Sequence, residues 1–95
     1  MLYCVTKLHD EFVDTILFDV INGNEISIVL DDCVGTSLSN ALQMIDFDYM
    51  PFSEISLMSK LKDLAYVDAG EEIRLYRIIE DIDSNRHKSV CVGRI

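Results

Sequence analysis

The stretch EDIDSNRHK, residues 80–88, contains the residue types of a metal site. Asp81, Asp83 and Asn85 have the 1-3-5 spacing with which an EF-hand loop begins to coordinate calcium. Such a loop also needs a glycine at position 6 and a bidentate glutamate at position 12. Counting from Asp81, those positions hold an arginine and a valine. The stretch therefore lacks a calcium motif, and its many turn-forming residues predict a hairpin loop.

The other metal and thiol motifs are also incomplete. DFDYMPFSE, which starts at Asp46, has methionine and proline at positions 5 and 6 of a calcium loop. The cysteines at 4, 33 and 91 form no C-x-x-C pair, so neither a zinc knuckle nor a redox dithiol is predicted. His9 is expected to end the first strand and His87 to lie in the last loop. We predict no metal ion and no cofactor.

Enzyme signatures are missing from the sequence. It contains no phosphate loop, no G-x-G-x-x-G, no G-x-S-x-G and no H-E-x-x-H. A small nuclease would need a basic face for its substrate, and the only hint of one is the set of bases near the C-terminus: Arg74, Arg77, Arg86, Lys88 and Arg94. The acidic remainder opposes that interpretation, so we predict a non-catalytic protein.

Length and composition predict one domain, residues 1–95, with a single modest core. About half of the residues are apolar, which is enough to fold. The first residues do not resemble a signal peptide, and no apolar run is long enough to span a membrane. An odd number of widely spaced cysteines favours reduced thiols, which predicts a cytoplasmic protein.

The net charge of −9 is unevenly distributed. Residues 1–57 carry ten acids and a single base, Lys7, whereas residues 58–95 carry seven acids and seven bases. Such an excess opposes direct binding to nucleic acid or to an anionic membrane, because phosphates would be repelled. It favours a basic protein partner, although acidity that serves solubility alone remains the alternative.

The periodicity predicts an α+β fold, an antiparallel sheet of about five strands with two short helices in the order βββααββ. Predicted strands are 2–8, the hairpin 15–31, 72–81 and 89–95. Residues 72–81 also fit a helix that starts at Asp68, but a strand is preferred because 89–95 needs an antiparallel neighbour. Leucines spaced at i, i+4 and i+7 predict helices over 36–48, capped by Thr36 or Ser37, and 53–65, capped by Ser53.

The register of the first hairpin follows from matching apolar residues across the strands. A three-residue loop, 22–24, would place Asn24 in the left-handed conformation. The predicted cross-strand pairs on one face are Val20–Ile26, Phe18–Ile28 and Ile16–Leu30. On the opposite face Leu17 would lie against Val29, near Ile21. That face is too apolar to remain bare, so a helix, a second strand layer or another subunit should cover it, and these three residues form a candidate dimer face.

The region between the predicted helices alternates acids with Phe, Tyr and Met, which is typical of a binding patch. An alternative is that Phe47 and Phe52 only anchor the helices to the core. The candidate partner-binding residues are Asp10, Glu11, Asp14, Asp19, Asp31, Asp32, Asp46, Asp48, Tyr49, Met50 and Glu54.

These features favour a non-catalytic acidic inhibitor that covers the basic, nucleic-acid-binding surface of a protein partner, such as a nuclease. A nucleic-acid (DNA) mimic, an immunity or antitoxin-like protein, or a phage anti-defence protein of the anti-CRISPR kind would act in this way. The alternative is a homodimeric structural or adaptor protein whose acidity serves solubility only. A small enzyme is the third hypothesis.

Overall fold

The computed structural model describes residues 1–9, 11–34, 37–45, 47, 51–65, 67–81 and 86–95. Its elements follow the predicted order βββααββ, which confirms the α+β fold class. They are β1 (Leu2–Leu8), β2 (Val13–Ile21), β3 (Glu25–Asp32), α1 (Ser37–Met44), α2 (Glu54–Leu64), β4 (Glu72–Asp81) and β5 (Arg86–Arg94).

The five strands form one antiparallel sheet in the order β3-β2-β1-β4-β5. The first strand of the chain is therefore the central one. The hairpin β2–β3 adds to one side of it and the hairpin β4–β5 to the other. The two helices lie in the connection that carries the chain from the β3 edge back to β4. This arrangement separates two hairpins of very different charge by the width of β1.

Both helices cover the same face of the sheet. Strand β1 alternates half-buried and buried positions, as expected for a strand with one covered face. Tyr3 stacks on Phe18 with ring centroids 5.6 Å apart, and Phe52 packs against Tyr3 at 5.1 Å. The fully buried apolar side chains of this core are Val5, Ile16, Phe18, Leu38, Leu57, Leu61, Ala65, Ile73 and Leu75.

Helix α2 agrees with the prediction. The Ser53 side chain accepts a hydrogen bond from the Ser56 backbone N–H at 3.0 Å, which is the predicted N-cap. Helix α1 is shorter than predicted, since it ends at Met44 and not near residue 48. Beyond the end of α1, Phe47 is buried and meets Phe52 edge-on with ring centroids 5.5 Å apart.

The first hairpin confirms the pairs Val20–Ile26 and Phe18–Ile28 and corrects the rest. Asn24 does not take the left-handed conformation; Asn22 (φ 54°) and Gly23 (φ 75°) do, and the Asn24 N–H donates to the Ile21 carbonyl at 3.2 Å. Beyond Phe18 the register shifts. A β-bulge at Val29 pairs Leu17 with Leu30 and Ile16 with Asp31, so the predicted pairs Ile16–Leu30 and Leu17–Val29 are wrong.

The second hairpin confirms residues 72–81 as a strand. Residues 68–71 form a turn and not the start of a helix. The Asp68 N–H donates to Glu71 Oε1 at 2.9 Å, and Gly70 takes a positive φ of 87°. Strand β5 begins at Arg86 instead of 89, since β4 is long enough to pair with it. His87 therefore lies in β5, opposite Glu80, and the predicted loop at 82–85 is outside the described residues.

Candidate functional site

Charge is separated across the sheet. Residues 11–34, which contain β2 and β3, carry six acids and neither lysine nor arginine. The opposite hairpin, β4–β5, carries the arginines at 74, 77, 86 and 94 and the lysine at 88. We call the β2–β3 side the acidic edge; its acids with exposed or half-exposed side chains are Glu11, Asp19, Glu25, Asp31 and Asp32. The uneven charge of the sequence thus becomes a spatial asymmetry.

The acidic edge is not a single flat surface. Adjacent residues of a strand point to opposite faces of a sheet, and Asp31 and Asp32 are adjacent. Asp31 lies on the helix side, where the Ser39 hydroxyl donates to its carboxylate at 2.6 Å. Asp32 is paired with Thr15 in the register and points to the face that lacks helices. Asp31 and Asp32 therefore do not belong to one continuous negative face.

Two predicted partner-binding residues have their roles inside the fold. Asp14 is fully buried, so its carboxylate cannot contact a partner. Glu54, on α2, accepts two hydrogen bonds from the Arg77 guanidinium, at 2.9 and 2.5 Å. The assignment of Asp14 is therefore corrected, whereas Glu54 stays a prediction and its carboxylate also joins α2 to β4. Asp19 stays at the surface, with its Oδ1 3.0 Å from the Met1 amino group.

Five other predicted partner-binding residues lie outside the described residues: Asp10, Asp46, Asp48, Tyr49 and Met50. Their neighbours are described, however. Phe47 is buried in the core, as the alternative interpretation of this segment expected, and the Lys60 ammonium lies 4.7 Å from the centre of its ring. Phe52 packs on the core as well.

A groove runs beside the acidic edge. It has a volume of about 630 Å³ and lies between β3 and α1. Its apolar lining comes from Ile26 and Ile28 on the strand and from Leu42 and Ile45 at the helix, with Glu25 and Gln43 also lining it; Asn24 and Phe47 complete the set. Because β3 is an edge strand, it also presents backbone N–H and C=O groups along its outer side. The groove could therefore hold an extended segment of another protein.

A buried cluster of charges occupies the other end of the sheet. Lys7 and Asp14 face each other across β1 and β2, and both are buried. His9 Nδ1 lies 2.5 Å from Glu71 Oε2, and His9 Nε2 lies 3.1 Å from Asp14 Oδ2. Lys7 Nζ lies 3.7 Å from the same Glu71 oxygen. Two bases and two acids are thus brought together from three segments of the chain.

This cluster joins separate segments of the fold. Both ring nitrogens of His9 are directed at carboxylates of the same chain, Asp14 and Glu71. Neither nitrogen is therefore directed at open space in which a substrate could lie. The Val34 N–H donates to Asp14 Oδ1 at 2.6 Å, which occupies the second oxygen of that carboxylate. The cluster therefore fixes the segment after β3 to β2.

The cysteines are in surroundings that suppress the thiolate. Burial, the hydrogen bond to Asp31 and the negative charge of Asp31 raise the pKa of Cys33 to about 12. Burial also raises the pKa of Cys4. A thiol nucleophile needs the opposite shift. Cys91 lies in β5 and is exposed. Within the described ranges, no three His, Cys, Asp or Glu side chains are grouped to hold a metal ion.

The pKa values of several carboxylates are lowered by hydrogen bonds. The Arg77 guanidinium holds the pKa of Glu54 below its usual value, and the Ser39 hydroxyl does the same for Asp31. A folded-state pKa below the unfolded one contributes stability that is complete above the unfolded pKa. That stability is lost as the pH falls through the folded-state pKa. The acid side of the stability profile should therefore depend on these groups.

We expect Glu54→Gln to flatten the loss of stability in acid. The free energy of unfolding of the wild type should fall as the pH drops below the unfolded-state pKa of glutamate, about 4.3, because Glu54 then becomes protonated and its charge-assisted bonds to Arg77 weaken. The glutamine variant should be less stable at pH 7 and lose less on acidification, measured by urea unfolding at each pH. The matched control is Glu25→Gln, an exposed acid. Equal acid slopes for Glu54→Gln and wild type would contradict this assignment.

The face of the sheet opposite the helices, which we call the open face, carries the predicted dimer residues. Leu17, Ile21 and Val29 all belong to it, with Val29 59% exposed and Ile21 40% exposed. Leu30 joins them because of the β-bulge and is 55% exposed. The helices do not cover this face, since both pack on the other one. Of the coverings considered from the sequence, a helix layer is therefore excluded for the described residues.

Several residues that organise these surfaces were not predicted from the sequence. The partnership of Glu54 with Arg77 joins positions 23 apart, and no local pattern signals it. Lys7 gave a weak signal, since a lone lysine at an inward position of an apolar strand needs a buried partner. The groove residues Glu25 and Gln43 were not selected, because their proximity depends on how α1 packs beside β3.

Comparison with protein-family models, with curated proteins and with solved structures found no match for this chain. Among the residues that the structure describes, neither helix is long and apolar enough to cross a membrane.

Proposed function

We propose that this protein is a non-catalytic, cytoplasmic inhibitor that binds the basic, nucleic-acid-binding surface of a protein partner. The observation that carries the proposal is the acidic edge with its adjoining groove. Charge there is of one sign over two complete strands, and the groove beside it is lined by both apolar and polar residues. A surface made for nucleic acid is basic and often apolar in places, so it complements both features.

Charge and groove would act at different stages of binding. Exposed carboxylates attract a basic partner over about 8 to 10 Å at physiological salt and so speed association. The groove between β3 and α1, with its polar and apolar lining, would then hold a side chain or strand of the partner and slow dissociation. Phage anti-defence, immunity and antitoxin proteins that mimic nucleic acid would combine these two stages in the same way.

The buried chemistry supports a non-catalytic role. Both nitrogens of His9 are directed at carboxylates within the fold, and the pKa of Cys33 is raised to about 12. A homodimeric structural or adaptor protein is the second candidate, and the open face is the observation that favours it. The two functions use different surfaces, because the groove lies on the helix side of the sheet.

The proposal can be tested with a basic peptide of alternating lysine and valine, whose binding is followed by NMR chemical-shift changes. We expect shifts concentrated on β3 and α1, and affinity that falls as salt is raised. Changing Glu25 and Asp31 together to lysine should weaken binding at least about tenfold, since two attractions at the groove become repulsions.

The matched control makes the same change in net charge at a distance from the groove, with Asp63 on α2 and Glu80 on β4 changed to lysine. That variant should bind nearly as well as wild type. Circular dichroism establishes that both variants are folded. Equal weakening by the two variants, or binding that is indifferent to salt, would show that the acidic edge serves solubility only. A pull-down from host lysate at low and high salt would then identify the partner.

A further inference from the structure

The middle of the open face is apolar. The register places one residue from each strand in a row across the sheet. The central row runs from β3 to β5 as Leu30, Leu17, Cys4, Tyr76 and Cys91. Exposed apolar residues at both ends of a five-residue row give a surface of the kind that proteins normally cover.

The neighbouring row is polarised. From β3 to β5 it runs as Asp32, Thr15, Thr6, Arg74 and Arg94. It therefore begins with an acid at the acidic edge, passes over two threonines at the centre, and ends with two arginines at the other edge. The open face thus has a negative side, a neutral centre along β1 and a positive side in this row.

The positive end of this row has more cations than local anions. Glu72 accepts hydrogen bonds from Arg74 Nη2 at 2.9 Å and forms an ion pair with Arg94 Nε at 3.0 Å. One carboxylate is thus shared by two guanidinium groups, and the Arg94 side chain is still 65% exposed. A further carboxylate in front of Arg94 would complete the pairing.

We propose that two copies of this chain pack their open faces together about a two-fold axis that runs parallel to β1 between the sheets. Rotation about such an axis exchanges the two sides of the face and preserves position along the strand. Asp32 of each copy then lies opposite Arg94 of the other, while the apolar row packs on itself with Cys4 near the axis. An isologous contact requires this kind of self-complementarity.

The alternative two-fold axis is disfavoured by charge. An axis perpendicular to the strands would place the acidic side of one copy against the acidic side of the other. The parallel axis also keeps the strand directions of the two sheets nearly aligned, which is the common geometry of packed sheets. Charge complementarity therefore selects both the occupant of the face, a second copy, and its orientation.

The size of the open face suits a stable dimer. Five strands spaced about 4.8 Å apart and about 25 Å long give a face on the order of 600 Å² in projection. A standard interface buries roughly 800 Å² of accessible surface per partner, which is larger than projected area because side chains are rough. The helices and the groove beside β3 face outward in this arrangement, so a dimer would present two copies of the acidic groove.

The first experiment measures oligomeric state by sedimentation over a concentration series. We expect a dimer that Leu30→Glu dissociates, with its dissociation constant raised at least about a hundredfold, because two charges would be buried without partners. Leu30 is 55% exposed in the single chain, so the variant should fold, and circular dichroism checks this. The matched control is Ile55→Glu on α2, where the side chain is 86% exposed, and it should stay dimeric.

The second experiment tests the two-fold axis by mixing charge variants. Asp32→Arg places arginine opposite Arg94 of the other copy, and Arg94→Asp places aspartate opposite Asp32. Each variant alone should dimerise several-fold more weakly than wild type. An equimolar mixture should recover affinity, because in the mixed dimer both contacts join opposite charges.

A wild type that is monomeric at the highest concentration overturns the proposal, as does a dimer that Ile55→Glu breaks and Leu30→Glu does not. A mixture of Asp32→Arg and Arg94→Asp that associates no better than either variant alone overturns the two-fold arrangement. In the first two cases the open face either stays bare or receives a different molecule, and in the third the two copies pack in another orientation.

Discussion

Replacing Asp14 by alanine is expected to lower the free energy of unfolding by about 3 to 5 kcal/mol, which is the cost of removing one partner from a buried ionic group. The carboxylate is fully buried, faces Lys7 across the strands, and accepts hydrogen bonds from Val34 N and His9. Its loss leaves a buried ammonium with less compensation and a backbone N–H without its acceptor. Urea unfolding at pH 7 measures the change.

The Asp14→Asn variant separates the contribution of the negative charge from that of the hydrogen bond to the Val34 N–H. The amide oxygen keeps an acceptor for the Val34 N–H but removes the negative charge, so this variant should lose less stability than Asp14→Ala. The exposed Asp63→Ala on α2 is the control and should change stability little. If Asp14→Ala is within about 0.5 kcal/mol of wild type, which is typical of surface substitutions, the cluster does not hold the fold together.

Phe18→Ala is expected to destabilise the protein by about 3 to 5 kcal/mol, and the adjacent Leu17→Ala by much less. Phe18 is fully buried beneath the helices and stacks on Tyr3, so truncation leaves a cavity in the core. Leu17 points to the open face and is only partly buried by its own chain. Unfolding is best measured at low protein concentration, where association through the open face contributes least.

The stability losses of Phe18→Ala and Leu17→Ala, compared with each other, show directly which face of the sheet the helices cover. Similar losses for Leu17→Ala and Phe18→Ala at low concentration would mean that both faces of β2 are packed within one chain. That result would contradict the register in which Phe18 pairs with Ile28 on the covered face. A loss for Leu17→Ala that appears only as the concentration is raised would instead agree with burial of the open face between two copies.

The position of β1 links the fold to the two proposed surfaces. Because the first strand is central, the acidic hairpin and the basic hairpin lie on opposite sides of it. A sheet that joined β3 directly to β4 would bring acids and arginines side by side and neutralise both. The observed order keeps the acidic edge apart from the arginines, as both the proposed binding of a basic partner and the proposed packing of two open faces require.

The sequence by itself determined the features that depend on neighbours along the chain. The order of the elements, the Ser53 cap and the pairs Val20–Ile26 and Phe18–Ile28 follow from periodicity, capping and turn chemistry within a few residues. The sign of the charge on each segment was also evident, because it is only a count. These properties are local, so they could be predicted without knowing how the elements pack.

The tertiary structure decided which of those residues are available and what they contact. Asp14 and Glu54 look like surface acids in the sequence, yet one is buried and the other binds Arg77. The bulge at Val29 separates Leu30 from its predicted partner and turns Asp31, paired with Ile16, toward the helix side of the sheet. Each outcome depends on contacts between segments far apart in the chain, and the energies of such contacts are set by burial and geometry that no local pattern contains.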